Sequence, residues 1–193
     1  MTDKRTAVLD AAIELLGSEG LRALTHRRVD SIADVPAGST SNYFRTRQAL
    51  VEGVLDRLLE RDRADVAALA GAASTAPRDE RELEDLLCGY VLFSTDSDTV
   101  RTRARFAMFV EAMAVPDLRT AVEIRRSELR AWGASMLADL GVDGPGESDA
   151  GARLLVDYLD GVILHRLTSG SDPDPREGIR RILEAVLRPQ RAR

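Results

Sequence analysis

The chain has 193 residues, 44% hydrophobic and 31% charged, which suits one medium domain or a small head on a larger body with a real core. No run approaches the roughly 18 apolar residues of a membrane-spanning helix, and the charged start Asp3-Lys4-Arg5 leads into no signal-like apolar stretch, so a cytoplasmic protein without membrane contact is expected. The net charge is −5, yet the first fifty residues carry seven basic against six acidic side chains, a near-neutral head on an acidic body.

An aromatic content of only 4%, together with many Ala, Leu and Arg, predicts an all-α protein. The first helix is expected over Asp3–Glu19, where Val8, Leu9, Ala12, Ile13, Leu15 and Leu16 form one apolar stripe. Gly20 stops it by taking a positive φ. Thr25 suits the N-cap of a short second helix, Arg27 to Ala33, with Val29, Ile32 and Ala33 facing inward. Pro36 then pushes Val35 out of the α region, and Asp34 stands where such a turn needs a left-handed residue. A third short helix follows over Ala37 to Phe44. A long one runs from Arg47 to about Ala70, and residues 71–77 read as a loop. Further helices are expected over Glu80–Ser94, Thr99–Ala114, Pro116–Leu140, Ser148–Thr168 and Pro175–Leu187, with loops over 141–146 and 169–175.

Three helices in about 45 residues, the last two joined by a four-residue turn, match a helix-turn-helix reader of double-stranded DNA. Val29, Ile32, Ala33, Val35 and Phe44 would form its small core. The third helix otherwise carries Gly38, Ser39, Thr40, Ser41, Asn42 and Tyr43, small or hydrogen-bonding residues that allow close approach to a groove. Asn bonds bidentately to adenine, Ser and Thr reach base edges or phosphates, and Arg27 has the side chain most often paired with guanine. Arg47 at the start of the next helix would favour a phosphate.

Thr25, Val29, Ala33, Val35, Gly38, Phe44, Arg47 and Leu50 stand in the register of a known motif, and the segment resembles the DNA-binding domain of the TetR family of bacterial transcription regulators. The chain departs from that motif at Asp34, where Gly is usual, at Pro36, which replaces a capping Ser, at Ser41, which replaces Tyr, and at Tyr43, which replaces His. The resemblance implies that Thr25, His26, Tyr43 and Arg47 hold the DNA backbone, while Arg27, Ser39 and Asn42 face bases beside Gly38. It also implies a helix-turn-helix domain over residues 1–46 and a helical effector-binding and dimerisation domain over residues 47–193.

The residues support such a body independently. Residues 154–164 are apolar around most of a helix, which requires cover on several sides. A homodimer through helices at about 148–168 and 175–187 would supply it, the last helix offering Ile179, Ile182, Leu183, Val186 and Leu187. Phe93, Phe106, Phe109, Met113, Trp132 and Met136 are the bulky side chains that could line a pocket for a small apolar effector. Arg103, Arg105 and His165 could add polarity.

No catalytic constellation, metal site or cofactor motif is visible. There are two His and one Cys, with no HExxH and no phosphate loop, so neither an enzyme nor a cofactor is expected. Cys88, in an apolar run, reads as a buried inert thiol. The expected function is a DNA-binding regulator, a homodimeric repressor released from a palindromic operator by a small molecule. The alternatives are control by a protein partner instead and, further off, a helical enzyme.

Overall fold

A computed structural model describes residues 3–72, 77–142, 144–169 and 174–187. Among them the regular structure is helical throughout: α1 (Lys4–Glu19), α2 (His26–Ile32), α3 (Ser39–Tyr43), α4 (Arg47–Ala72), α5 (Glu80–Leu92), α6 (Thr99–Ala112), α7 (Pro116–Asp139), α8 (Glu147–Ser169) and α9 (Arg176–Leu187). A 3-10 turn spans Leu21–Ala23 and a π turn spans Phe93–Ser97. Of the expected loops, residues 73–76, 143 and 170–173 lie outside the described residues, and Gly71 and Ala72 belong to α4. Two compact units result, Met1–Asp65 with Asp98–Glu123, and Val66–Ser97 with Ile124–Arg193. The first takes in the whole 1–46 segment and extends beyond it.

In the first unit the α1 stripe of Val8, Leu9, Ala12, Ile13, Leu15 and Leu16 is buried against Leu50, Val54 and Leu58 of α4 and Ala104 and Met108 of α6. Burying each such aliphatic side chain contributes roughly 1.5–3 kcal/mol. Gly20, at φ 80°, donates its amide to the Leu16 carbonyl and ends α1. Arg57 forks onto Asp10 at 2.9 and 3.1 Å, tying α4 to α1. Arg101 is buried and pairs with Asp65 and Asp98. Its guanidinium thus keeps carboxylate partners inside low-polarity surroundings, where an unpaired charge is costly.

In the second unit Asp79 caps α5, accepting from the Glu82 amide at 2.8 Å. Leu83, Leu87 and Val91 of α5, Leu155, Leu159 and Ile163 of α8, and Ile179, Leu183 and Val186 of α9 are buried. Glu84, itself buried, receives Arg176 at 3.1 Å and Arg180 at 3.3 Å. Arg180 first and then Arg176 hold its carboxyl below the usual carboxylate range against the opposing effect of burial. Pro116 opens α7 at the position where its missing amide costs nothing. On α9, Ile179, Leu183 and Val186 are covered inside their own unit, and Ile182 and Leu187 stay partly exposed. On α8, Leu154 and Leu164 remain exposed.

Candidate nucleic-acid interface

The turn between α2 and α3 is built from short-range hydrogen bonds. Thr25 caps α2, its hydroxyl oxygen accepting from the Arg28 amide at 3.4 Å. At the other end Asp34 takes φ 51°, and the Val35 amide reaches back to the Asp30 carbonyl at 3.1 Å. This is the Schellman closure, with Asp in the left-handed position that Gly normally fills. Asp34→Gly is therefore expected to stabilise the protein by about 1 kcal/mol, roughly 2–4 °C in Tm. A thermal melt that shows no gain would mean that Asp34 carries no strain.

Pro36 does not cap α3. The Ser39 amide bonds to the Pro36 carbonyl at 3.0 Å, and Gly38 at φ 91° and ψ −6° completes a type II turn. The left-handed Gly38 delays the helix, so α3 has five residues where the sequence predicts eight. Gly38 has no side chain to cap with, and the cap comes from α2. The Asp30 carboxylate accepts from the Gly38 amide at 2.8 Å, the Thr40 amide at 2.7 Å and the Thr40 hydroxyl at 2.6 Å. Burial pushes the Asp30 carboxyl up, but the Thr40 hydroxyl, the two amides and nearby His26 outweigh it and hold the group below its usual range.

The far end of α3 is held by His26, whose Nε2–H donates to the Phe44 carbonyl at 2.6 Å. Phe44 is buried, its ring under the Arg5 guanidinium at 5.3 Å and beside Gly53, where an added Cβ would lie 2.5 Å from the ring.

These supports leave Thr25, Arg27, Gly38, Asn42, Tyr43 and Arg47 exposed and Ser39 partly exposed. Ser39 donates its hydroxyl to the Pro36 carbonyl at 2.6 Å and keeps its oxygen as an acceptor. Arg47 gives one guanidinium nitrogen to the Leu21 carbonyl at 3.0 Å, and Thr46 beside it caps α4, accepting from the Ala49 amide. Arg27 lies with Arg28, Ser31 and Ile32 in a shallow notch, and Arg28 pairs with Glu19 at 2.5 Å.

Two placements differ from the sequence reading. Ile32, expected inside, is 43% exposed, because seven residues are too few for spacing to fix which way the last turn faces. Thr40, one of the hydroxyls facing the groove in the sequence reading, is fully buried on Asp30. Asp30, Gly53 and exposed Arg45 escaped that reading.

The six bulky residues divide between the two units. Trp132 and Met136 line an apolar cavity of about 60 Å³ with Leu83 and Tyr90 of α5 and Leu155 and Asp160 of α8. Phe93 sits on the π turn, 45% exposed. Phe106 and Phe109 stack edge to face in the first unit, their centroids 5.5 Å apart, and Met113 of that unit is 69% exposed. Arg103 and His165 are exposed, whereas Arg105 is buried.

A helical unit that presents a braced recognition helix defines a helix-turn-helix DNA-binding protein. Residues 78–189 match the family model of the tetracyclin repressor-like C-terminal domain. The chain is 31% identical over 172 residues to the HTH-type transcriptional regulator BetI of Agrobacterium fabrum, covering 86% of this chain and 78% of that one. Among solved structures it is similar to the multidrug binding protein EbrR complexed with imidazole, at 27% identity and a TM-score of 0.71 over 100% of this chain and 98% of that one. It is also similar to a TetR-family member from Streptomyces coelicolor A3, at 28% identity and a TM-score of 0.72 over 96% and 98%. EbrR has further been solved with malachite green and with ethidium. The chain belongs to the TetR family of DNA-binding transcriptional regulators. Its relatives are regulators and not enzymes, and among the described residues no helix is long and apolar enough to cross a membrane.

Proposed function

We propose that this regulator is a homodimeric cytoplasmic repressor that leaves a palindromic operator when a small apolar effector enters the Trp132 cavity. Residues 1–46 serve as the reading head and residues 47–193 as the body. The observation that carries the reading is the outward face of α3, where Ser41, Asn42 and Tyr43 are exposed while the opposite face is locked by Asp30 and His26. Asn42, Ser39 and Arg27 take the base edges. Thr25, Tyr43 and Arg47 take phosphates, and bare Gly38 permits close approach of the backbone. His26 supports this contact set through its bond to Phe44.

Selection of bound DNA from a random pool tests this directly. A palindrome is expected, with half-site centres about 34 Å apart or a multiple of that. Arg47→Ala should weaken binding to all sequences and flatten the salt dependence by about one unit of slope. Asn42→Ala should relax preference at one base pair, worth roughly 1–3 kcal/mol of discrimination. A salt titration with an unaltered slope would remove Arg47 from the contacts, and an unaltered selection profile would remove Asn42.

Dimerisation is assigned to α8 and α9. Exposed Leu154 and Leu164 on α8 support this, as does an open groove between the two helices lined by Tyr158, Val162, His165 and Gly178. A cavity of about 60 Å³ is small beside the ligand pockets of roughly 300–1,000 Å³ common in proteins, so an effector that fits there must favour a body in which α5, α7 and α8 have parted. Trp132 is the sole tryptophan of the chain, which makes intrinsic fluorescence a reporter of the site. Titration with ethidium or malachite green is expected to quench it, and malachite green, which is not an intercalator, is expected to lower operator affinity. Dyes that change neither would favour control by a protein partner.

A further inference from the structure

The recognition helix cannot stand by itself. Isolated helices shorter than about 12 residues are marginal in water, and α3 has five, opening on a glycine that has no side chain to cap with. The three hydrogen bonds to the Asp30 carboxylate come from Gly38, just before this helix, and from Thr40 in its first turn, and both Asp30 and Thr40 are buried. The bond to the Thr40 hydroxyl does more than cap. Successive helical residues are about 100° apart, so fixing the Thr40 side chain inward decides that Ser41 and Asn42, at about 100° and 200° from it, turn outward. A backbone cap alone would leave that rotation to the weaker packing of a helix little more than one turn long.

We propose that the Asp30–Thr40 pair sets the rotational position of α3 and is thereby a positioning determinant of base selectivity. The inference rests on the reading of α3 as the base-contacting helix. Asp30 acts across the turn where Pro36 occupies the family's capping position, and its two oxygens match three donors that no neutral side chain of that size can satisfy together. Neither residue touches DNA. Their effect is carried by the residues they orient.

The test uses the full-length protein and the operator that the wild type selects. Thr40→Val keeps shape and removes the hydroxyl, Thr40→Ser keeps the hydroxyl, and Asp30→Asn removes the charge and one acceptor. All are assayed well below their own melting temperatures, on the operator, on its single-base variants and on unrelated DNA at low salt. Thr40→Val and Asp30→Asn should lose about tenfold to hundredfold in operator affinity, the scale of one hydrogen bond to a charged group. They should also lose discrimination among the single-base variants while binding unrelated DNA as the wild type does. Thr40→Ser should restore both affinity and profile. A Thr40→Val protein with the wild-type affinity and profile, or one weakened equally on all DNA, would overturn the proposal and leave the α3 reading intact. A wild type that enriches no site would bring down the α3 reading, and this inference with it.

Discussion

Gly17→Ala should lower Tm by roughly 5–10 °C, although alanine is the better helix former. The substitution gains about 1 kcal/mol of helix propensity. Against this, the new methyl would lie 1.9 Å from the Val100 carbonyl oxygen and 2.7 Å from its carbon. The obstacle is backbone, which has no rotamer to adopt, so α1 and α6 must separate along their packed length. Overpacking of this kind costs about 1–3 kcal/mol and occasionally more, and a backbone clash sits at the upper end. A net loss of about 2–3 kcal/mol in a chain of this size gives the stated shift. Calorimetry or a circular-dichroism melt reads it. A Tm at or above the wild type would mean that the two helices part at no cost.

Gly53→Ala should act differently, because its obstacle is a ring. The added Cβ would lie 2.5 Å from Phe44 Cε1 and 3.2 Å from Leu9 Cδ2, and the ring can pivot. Phe44 is not isolated, however. Its amide bonds to the Thr40 carbonyl at 2.8 Å, its carbonyl accepts from His26 at 2.6 Å, and Arg5 covers its face. Moving the ring therefore moves the end of α3. Operator affinity is expected to fall tenfold or more, while stability falls by only about 1–2 kcal/mol. Binding titrations on the selected operator, set beside a melt, separate the two quantities. Full affinity would show that the pocket around Phe44 absorbs the methyl before α3 feels it.

The periodic parts of the structure were legible from the residues. The α1 stripe, the stop at Gly20, the Thr25 cap and the left-handed Asp34 follow from local rules, and α1 and α2 begin within a residue of their expected starts. What escaped depends on contacts through space. Asp30 reads as one more solvated acid until the turn brings Thr40 onto it. Ile32 sits three residues after Val29, a spacing that signals burial in a long helix and decides little in one of seven residues. The α9 stripe was legible as apolar, but spacing cannot say whether its cover is a partner or, as with Leu183, the chain's own core. The six bulky residues fall in two units for a similar reason: periodicity shows which face of a helix is apolar and not which helices meet. Trp132 and Met136, four apart on α7, and Phe106 and Phe109, three apart on α6, are pairs that one helix could bring together.

Cys88 is 2% exposed, and burial pushes its thiol up, away from the reactive thiolate. An engineered cysteine elsewhere would then be the reactive thiol of each subunit, with no native one to remove first. Ser18→Cys, at an exposed site on α1, would put one spin label on each head of a dimer. Dipolar spectroscopy across that pair would measure the separation of the heads in solution, with operator bound, with dye bound and with neither.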